Sequence, residues 1–266
     1  MRFSHLFFSS LRVQARAIAV WTVSVLVLAA TVIVFWPMLD TADALTSLAD
    51  SLPPEVAEPL GLTNFGTAAG YLNGELFAML LPFIAGIMGL TRVSNQLADA
   101  ENAGRVEILY TLPVPRCEIA LARWTACVAG FAMMCAATWA TVGIRVALTD
   151  MDVAQSRVAT ACVGLFLLGL CHTGIAYLVY GATATRGLVT GVPLVVLVVG
   201  YIVYAVLPMV DELSGAQRFS PWYWALGESP LTGAFNAGGC VAVLAVTAVA
   251  LATGSALLAR RDCVQA

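Results

Sequence analysis

Few side chains in this sequence could do chemistry, and their types exclude more than they offer. All 13 basic residues are arginine. Without lysine there is no Gly-x-x-x-x-Gly-Lys-Ser/Thr loop to cradle a nucleoside triphosphate, so the chain cannot supply such an ATPase itself. The seven cysteines include no Cys-x-x-Cys pair and fall in or beside apolar runs. They read as small buried side chains, with no disulfide framework, zinc site or redox motif. Neither Gly-x-Ser-x-Gly nor His-Glu-x-x-His occurs, so no catalytic residue, no metal site and no cofactor bound by this chain is expected, nor any nucleic-acid partner. His172, between Cys171 and Thr173, is the one histidine inside an apolar run, where an ionisable group is a functional candidate by default. Tyr177 and Tyr180 follow on the next turns, and Glu75 stands at the edge of another run. His172, Tyr177 and Glu75 are candidates for lining a polar path. The competing readings are an imidazole bonded to a neighbouring helix, a packed tyrosine and an interfacial carboxylate.

The more informative residues form a pattern between two apolar runs. From Asp99 to Arg123, Val106, Leu109, Tyr110 and Leu112 alternate at helical spacing with Glu101, Arg105 and Glu107, and Pro113 and Pro115 end the stretch. A short amphipathic helix clear of the bilayer needs a surface to dock on. A soluble partner protein is the economical answer.

These segments must be positioned by membrane helices. Hydrophobic residues make up 60% of the 266 and charged ones 11%, against about 25% charged in soluble proteins, and the mean hydropathy is +0.88. Apolar runs at about 17–36, 71–93, 119–147, 158–181, 187–207 and 238–259 each suit a hydrocarbon core of about 30 Å. The expected fold is all-α, a polytopic membrane protein of about six transmembrane helices forming a single domain over 1–266.

Arginines collect where translocation is unfavourable. Ten (Arg2, Arg12, Arg16, Arg92, Arg105, Arg116, Arg123, Arg186, Arg260, Arg261) fall on one side and three (Arg145, Arg157, Arg218) on the other, which puts both termini in the cytoplasm. The first run lacks a cleavage pattern and reads as a retained helix. Before it, Phe3, Leu6, Phe7 and Leu11 form an amphipathic stretch that either lies on the inner membrane surface or is an ordinary charged flank. Of the outer loops, Pro37 to Gly70 carries Leu45, Leu48 and Leu52 before Pro53-Pro54 and reads as short surface helices. The other, from Pro208 to Ala237, packs Phe219, Trp222, Tyr223, Trp224 and Phe235 among Pro221, Gly227, Pro230 and Gly233. It reads as a broken or re-entrant pair of short helices, or else as an aromatic anchor at headgroup level. Gly70 with Gly74, and Gly187 with Gly191, offer small-residue spacings for close helix packing.

In the Asp99–Arg123 loop, Glu101, Gly104, Glu107, Ile108, Leu109, Pro113, Val114 and Arg116 stand in the order seen in the ABC-2 type permeases of bacterial ABC exporters, and the sequence resembles that family. Asn102-Ala103 departs from the family's more acidic or polar pair. The run from Phe219 to Trp224 with Gly227, Pro230 and Leu231 is similar to the family's segment before its last helix, as is the Arg260-Arg261-Asp262 ending. The resemblance implies that a loop helix bearing Glu101, Gly104, Arg105, Glu107, Leu109, Pro113 and Arg116 couples to a separate ABC ATPase, present in two copies and holding ATP and Mg. It also implies a second permease chain, the same or related, in a bacterial cytoplasmic membrane. The expected cargo is an amphipathic or hydrophobic compound such as a drug, antibiotic or lipid. Membrane lipid is the remaining partner. An ion-coupled carrier would place carboxylates near the membrane centre, and no run has one. An intramembrane enzyme lacks its motif, and a non-transporting immunity or scaffold protein is the further alternative.

Overall fold

In a bilayer every backbone amide must find its partner within the chain, which leaves long helices as the only open-ended way across. The computed structural model describes residues 3–40, 67–104, 114–149, 151–227, 229, 231 and 236–261, and no strand occurs among them. Six helices are long and apolar enough to cross a membrane: α1 (Phe3–Pro37, continuing to Asp40), α2 (Ala68–Asn102), α3 (Arg116–Leu148), α4 (Gln155–Ala182), α5 (Arg186–Met209) and α7 (Ala237–Arg260). A short α6 (Pro221–Leu226) precedes the last. Each apolar run of the sequence falls inside one of the six. The fold is the expected all-α, six-span bundle, with the described termini and the 104–114 connection at one end, called here the loop end.

Two regions of the sequence reading, 41–66 in the first outer loop and 105–113 in the amphipathic loop, lie outside the described residues. The second outer loop forms two 3-10 turns, Leu207–Met209 and Asp211–Phe219, and then α6. The N-terminal stretch is the start of the first long helix. α1 runs unbroken for 38 residues, about 57 Å at 1.5 Å per residue. Leu6, Ser10, Gln14, Ile18, Val25, Ala29 and Ile33 are all buried along one side of it. That stripe winds slowly around the helix as it follows its neighbours, and at its start Leu6 packs with Ala100, Ile119 and Ala122.

The bundle is built around α4. Of its most apolar window 72% lies inside the molecule, against 22% for α1 and for α5. Helices in lipid gain little from burying apolar surface and associate through close packing, which small residues permit. A Cβ added at Gly174 would meet Thr247 Cγ2 at 3.0 Å and Cα at 3.3 Å, and the backbones of Gly181 and Gly254 are closer still. Both pairs are offset by the same 73 positions (247 − 174 and 254 − 181) and lie seven residues apart. α4 and α7 therefore run parallel along a heptad seam. The expected pair Gly187 and Gly191 takes no part, since an added Cβ at either meets nothing within 4 Å. Both sit on faces of α5 that this chain leaves open, so sequence spacing alone selected the wrong pair.

Gly254→Ala would press a Cβ against the Leu178 Cα at 3.0 Å and the Tyr177 carbonyl at 3.1 Å, backbone atoms that cannot rotate away. A loss of about 1–3 kcal/mol is expected, read as a lowered thermal midpoint in detergent. Gly191→Ala should be neutral or add up to about 1 kcal/mol through helix propensity. Equal losses at both positions would refute the α4–α7 seam.

Candidate functional site

At the loop end a charged clasp closes over four helix termini. The last turn of α2 carries Asp99, Glu101 and Asn102 toward α4 and α7, and it stops at Gly104, whose φ of 66° is the left-handed conformation that ends helices and favours glycine. The Gly104 amide donates to the Glu101 carbonyl at 2.9 Å. Arg261, the first residue after α7, donates from Nη2 to both carboxylate oxygens of Glu101 at 2.8 and 2.7 Å. The side chains are 16% and 14% exposed, so this ion pair is largely withdrawn from water. The Tyr180 hydroxyl donates to the same carboxylate at 2.6 Å. Arg261 also donates from Nη1 to the Tyr180 carbonyl at 2.7 Å and lies 5.0 Å over the tyrosine ring, a cation–π arrangement. Arg116, the first residue of α3, donates to the Arg261 carbonyl at 2.9 Å. Around this core Asn102 donates to the Ala184 carbonyl at 3.3 Å, and Arg186 bridges Asp99 at 3.2 Å.

Of the residues named from the amphipathic loop, the structure brings Glu101, Gly104 and Arg116 to this clasp. Arg105, Glu107, Leu109 and Pro113 lie outside the described residues. Three hydrogen bonds from Arg261 and Tyr180 engage the two oxygens of Glu101 within the chain. Arg261 and Tyr180 are the residues that sequence reasoning missed in this role. Arg261 looked like one of several terminal arginines and Tyr180 like a packing residue. The basic pair Arg260-Arg261 after the last apolar run was visible, but nothing in it singled out Arg261 as the partner of an acidic residue 160 positions away.

At the opposite end, Pro221, Trp222, Tyr223 and Trp224 form α6, while Pro230 lies outside the described residues. Ser220 Oγ accepts from the Trp222 amide at 3.1 Å and donates to the Gly200 carbonyl at 2.6 Å, capping α6 and pinning it to α5. Trp222 is 0% exposed, donates to the Leu197 carbonyl at 2.9 Å, and packs against Phe83 at 4.9 Å and Tyr201 at 5.0 Å between ring centroids. Such a ring is wedged into the bundle between α2 and α5. Phe219, 80% exposed, is the aromatic left to serve as an anchor. The Asn236 side chain joins α6 to α7 by donating to the Tyr223 carbonyl at 3.0 Å.

The three candidates for a polar path are not brought together. Glu75 lies in a widened π-helical turn, Asn73–Phe77, near the end of α2 away from the loop end. Among the described residues no hydrogen bond joins it to His172 or Tyr177. Tyr177 pairs with Ser255 at 3.0 Å across the α4–α7 seam. His172 is fully buried and bonds its own helix rather than a neighbour, with Nδ1 at 2.7 Å from the Leu168 carbonyl. A carbonyl only accepts, so Nδ1 carries the proton and Nε2 is left as a bare acceptor. That nitrogen has no partner among the described residues.

Six crossing helices with a charged clasp at one end and an irregular, aromatic-plugged other end define an integral membrane protein of the permease class. The chain belongs to the family described as Multidrug efflux system permease Rv1217c, C-terminal domain, whose sequence profile matches residues 7–258. This agrees with the resemblance to ABC-2 type permeases. No curated protein matches the chain.

Removing one member of a withdrawn ion pair leaves the other uncompensated, at a cost of about 3–5 kcal/mol, whereas replacing both with apolar side chains is often near neutral. Glu101→Leu is therefore expected to lower stability in detergent by several kcal/mol and Glu101→Leu with Arg261→Leu to recover most of it. A double variant no more stable than the single one would show that the pair is not coupled.

Proposed function

We propose that this chain is the membrane-spanning permease subunit of an ATP-driven exporter, energised by a separate ABC ATPase present in two copies that binds ATP and Mg. A second permease chain, the same or related, completes the membrane domain. The assembly sits in a bacterial cytoplasmic membrane with both termini in the cytoplasm, and it moves an amphipathic or hydrophobic compound outward. The permease family supports the transport role, and the arginine asymmetry supports the orientation.

The observation that carries the coupling is the clasp. A push on the amphipathic loop from Arg105 to Pro113 reaches Glu101 through the Gly104 turn. From there Arg261, Tyr180 and Arg116 hand it to α7, α4 and α3 together. A coupling element must make different contacts in two states, and an ion pair between helix ends has that capacity. Arg105, Glu107 and Leu109 supply the docking face, and Glu101 and Arg116 position it. His172, with its bare Nε2 acceptor, is a candidate to meet a donor on the cargo or on a second chain.

The test is to search the neighbouring reading frames for a Walker A motif, co-express any such ATPase with this chain, and follow with purification and transport assay. Co-purification is expected. Arg261→Gln should leave ATP hydrolysis by the complex largely intact while transport falls by about tenfold or more, the size of a typical coupling free energy. If no ATPase co-purifies, and substituting Glu107 and Arg261 leaves transport unchanged, the coupling reading fails.

A further inference from the structure

One cavity at the loop end belongs to neither the clasp nor the aromatic plug. It holds about 510 Å³ between α1, α2 and α3, within the usual range for a ligand pocket of about 300–1,000 Å³. Arg16 enters it from α1, Arg92 from α2 and Arg123 from α3, beside Ser9, Ser10, Asn95 and Gln96. Among the described residues Asp99 is the one carboxylate in the lining, and Arg186 already bridges it at 3.2 Å. Arg123 donates to the Gln96 carbonyl at 2.7 Å, so its guanidinium is held at the wall. Three guanidinium groups against one carboxylate leave the cavity positive.

Arg92 shows what is missing. It is 8% exposed and has no carboxylate partner among the described residues. Its only hydrogen bonds run from Nε and Nη2 to the neutral Oε1 of Gln14, at 3.4 and 3.3 Å. Those bonds are long for a cation with five donors. Gln14 is itself fully buried, and its Nε2 has no partner. A withdrawn cation is costly without an anion, and guanidinium forks match the oxygens of a phosphate.

We infer that this cavity is a headgroup site for an anionic phospholipid, with the phosphate among Arg16, Arg92 and Arg123. The same arginines could accept free phosphate, but the cavity wall continues as an apolar track. Val13 lines it, and Val13, Val20, Val27 and Val34 recur every seven residues along α1, all of them exposed. Residues seven apart share one face of a helix. The track leads from the cavity toward the membrane centre, where an acyl chain attached to the phosphate would lie; inorganic phosphate has no use for it. Basic pockets between membrane helices suit anionic headgroups for the same reason.

The test uses the full chain purified in mild detergent from nanodiscs of phosphatidylglycerol and phosphatidylcholine in equal amounts, with retained lipid counted by native mass spectrometry. Selective retention of phosphatidylglycerol is expected. Arg16→Gln, at an exposed position that does not threaten folding, should reduce it about fivefold, and Arg92→Gln at least as much, while Arg218→Gln at the far end leaves it unchanged. Equal retention of the two lipids, or an Arg16→Gln loss no larger than that of Arg218→Gln, would overturn the site. A thermal shift with inorganic phosphate as large as that with short-chain phosphatidylglycerol would assign the cavity to free phosphate and overturn the lipid.

Discussion

The arrangement of this bundle depends on the contact between the backbones of α4 and α7. Lipid tails compete with leucine for leucine, so surface burial cannot choose one helix pairing over another; a direct backbone approach can. Gly174 and Gly181 remove side chains from α4 at positions two turns apart, and Thr247 and Gly254 receive them on α7. That seam sets the helices parallel and in register, and the register has a chemical consequence. Tyr180 adjoins Gly181, and Arg261 follows two turns after Gly254, so the guanidinium lands over the Tyr180 ring and within reach of Glu101. The clasp is a product of the glycine seam, not an independent feature.

The same reasoning explains how a buried α4 tolerates its polar residues. Thr173 returns its hydroxyl to the Leu170 carbonyl at 2.8 Å, and its own carbonyl accepts from Trp124 Nε1 at 3.2 Å. His172 uses the carbonyl one turn back. Donors in the middle of α4 are thus satisfied locally, as a helix without water requires. The His172 Nε2 lone pair is the exception.

Much of the fold was legible in the sequence, because hydropathy and the arginine distribution each answer to the bilayer one segment at a time. Six runs become six helices for that reason, and the aromatic content of 219–224 announced a segment that is not a simple span. What was not legible are pairings between segments. The Gly187 and Gly191 spacing is as good on paper as Gly174 and Gly181, and only the neighbour across the interface separates them. Glu101 was recognisable as important from the pattern around it, but its partners lie 79 and 160 residues away, and nothing in its own segment points to them. For Phe3 to Leu11 the sequence left a membrane-surface helix and a charged flank open, because amphipathicity reports that a face is covered, not by what. Here Leu6 is covered by Ala100, Ile119 and Ala122.

The two ends of the molecule hold their helices by different means, and this bears on which end can move. At the outer end α6 is locked by a fully buried ring, a capped first turn and close backbone contact, with Gly164 against the Ala225 carbonyl at 2.6 Å from an added Cβ. Packed interiors of this kind are bistable or rigid rather than gradually deformable. At the loop end the helices are joined through charges, with the Glu101–Arg261 pair largely withdrawn from water. Such bonds are directional and depend on the charge of each partner, so a change at one member is felt by every helix end that the network joins. The two ends therefore differ in kind: the loop end is held by a network of charges and the aromatic end by packing that can move only as a unit. α4 is the rigid rod between them: it touches α6 through Gly164 and Arg261 through Tyr180.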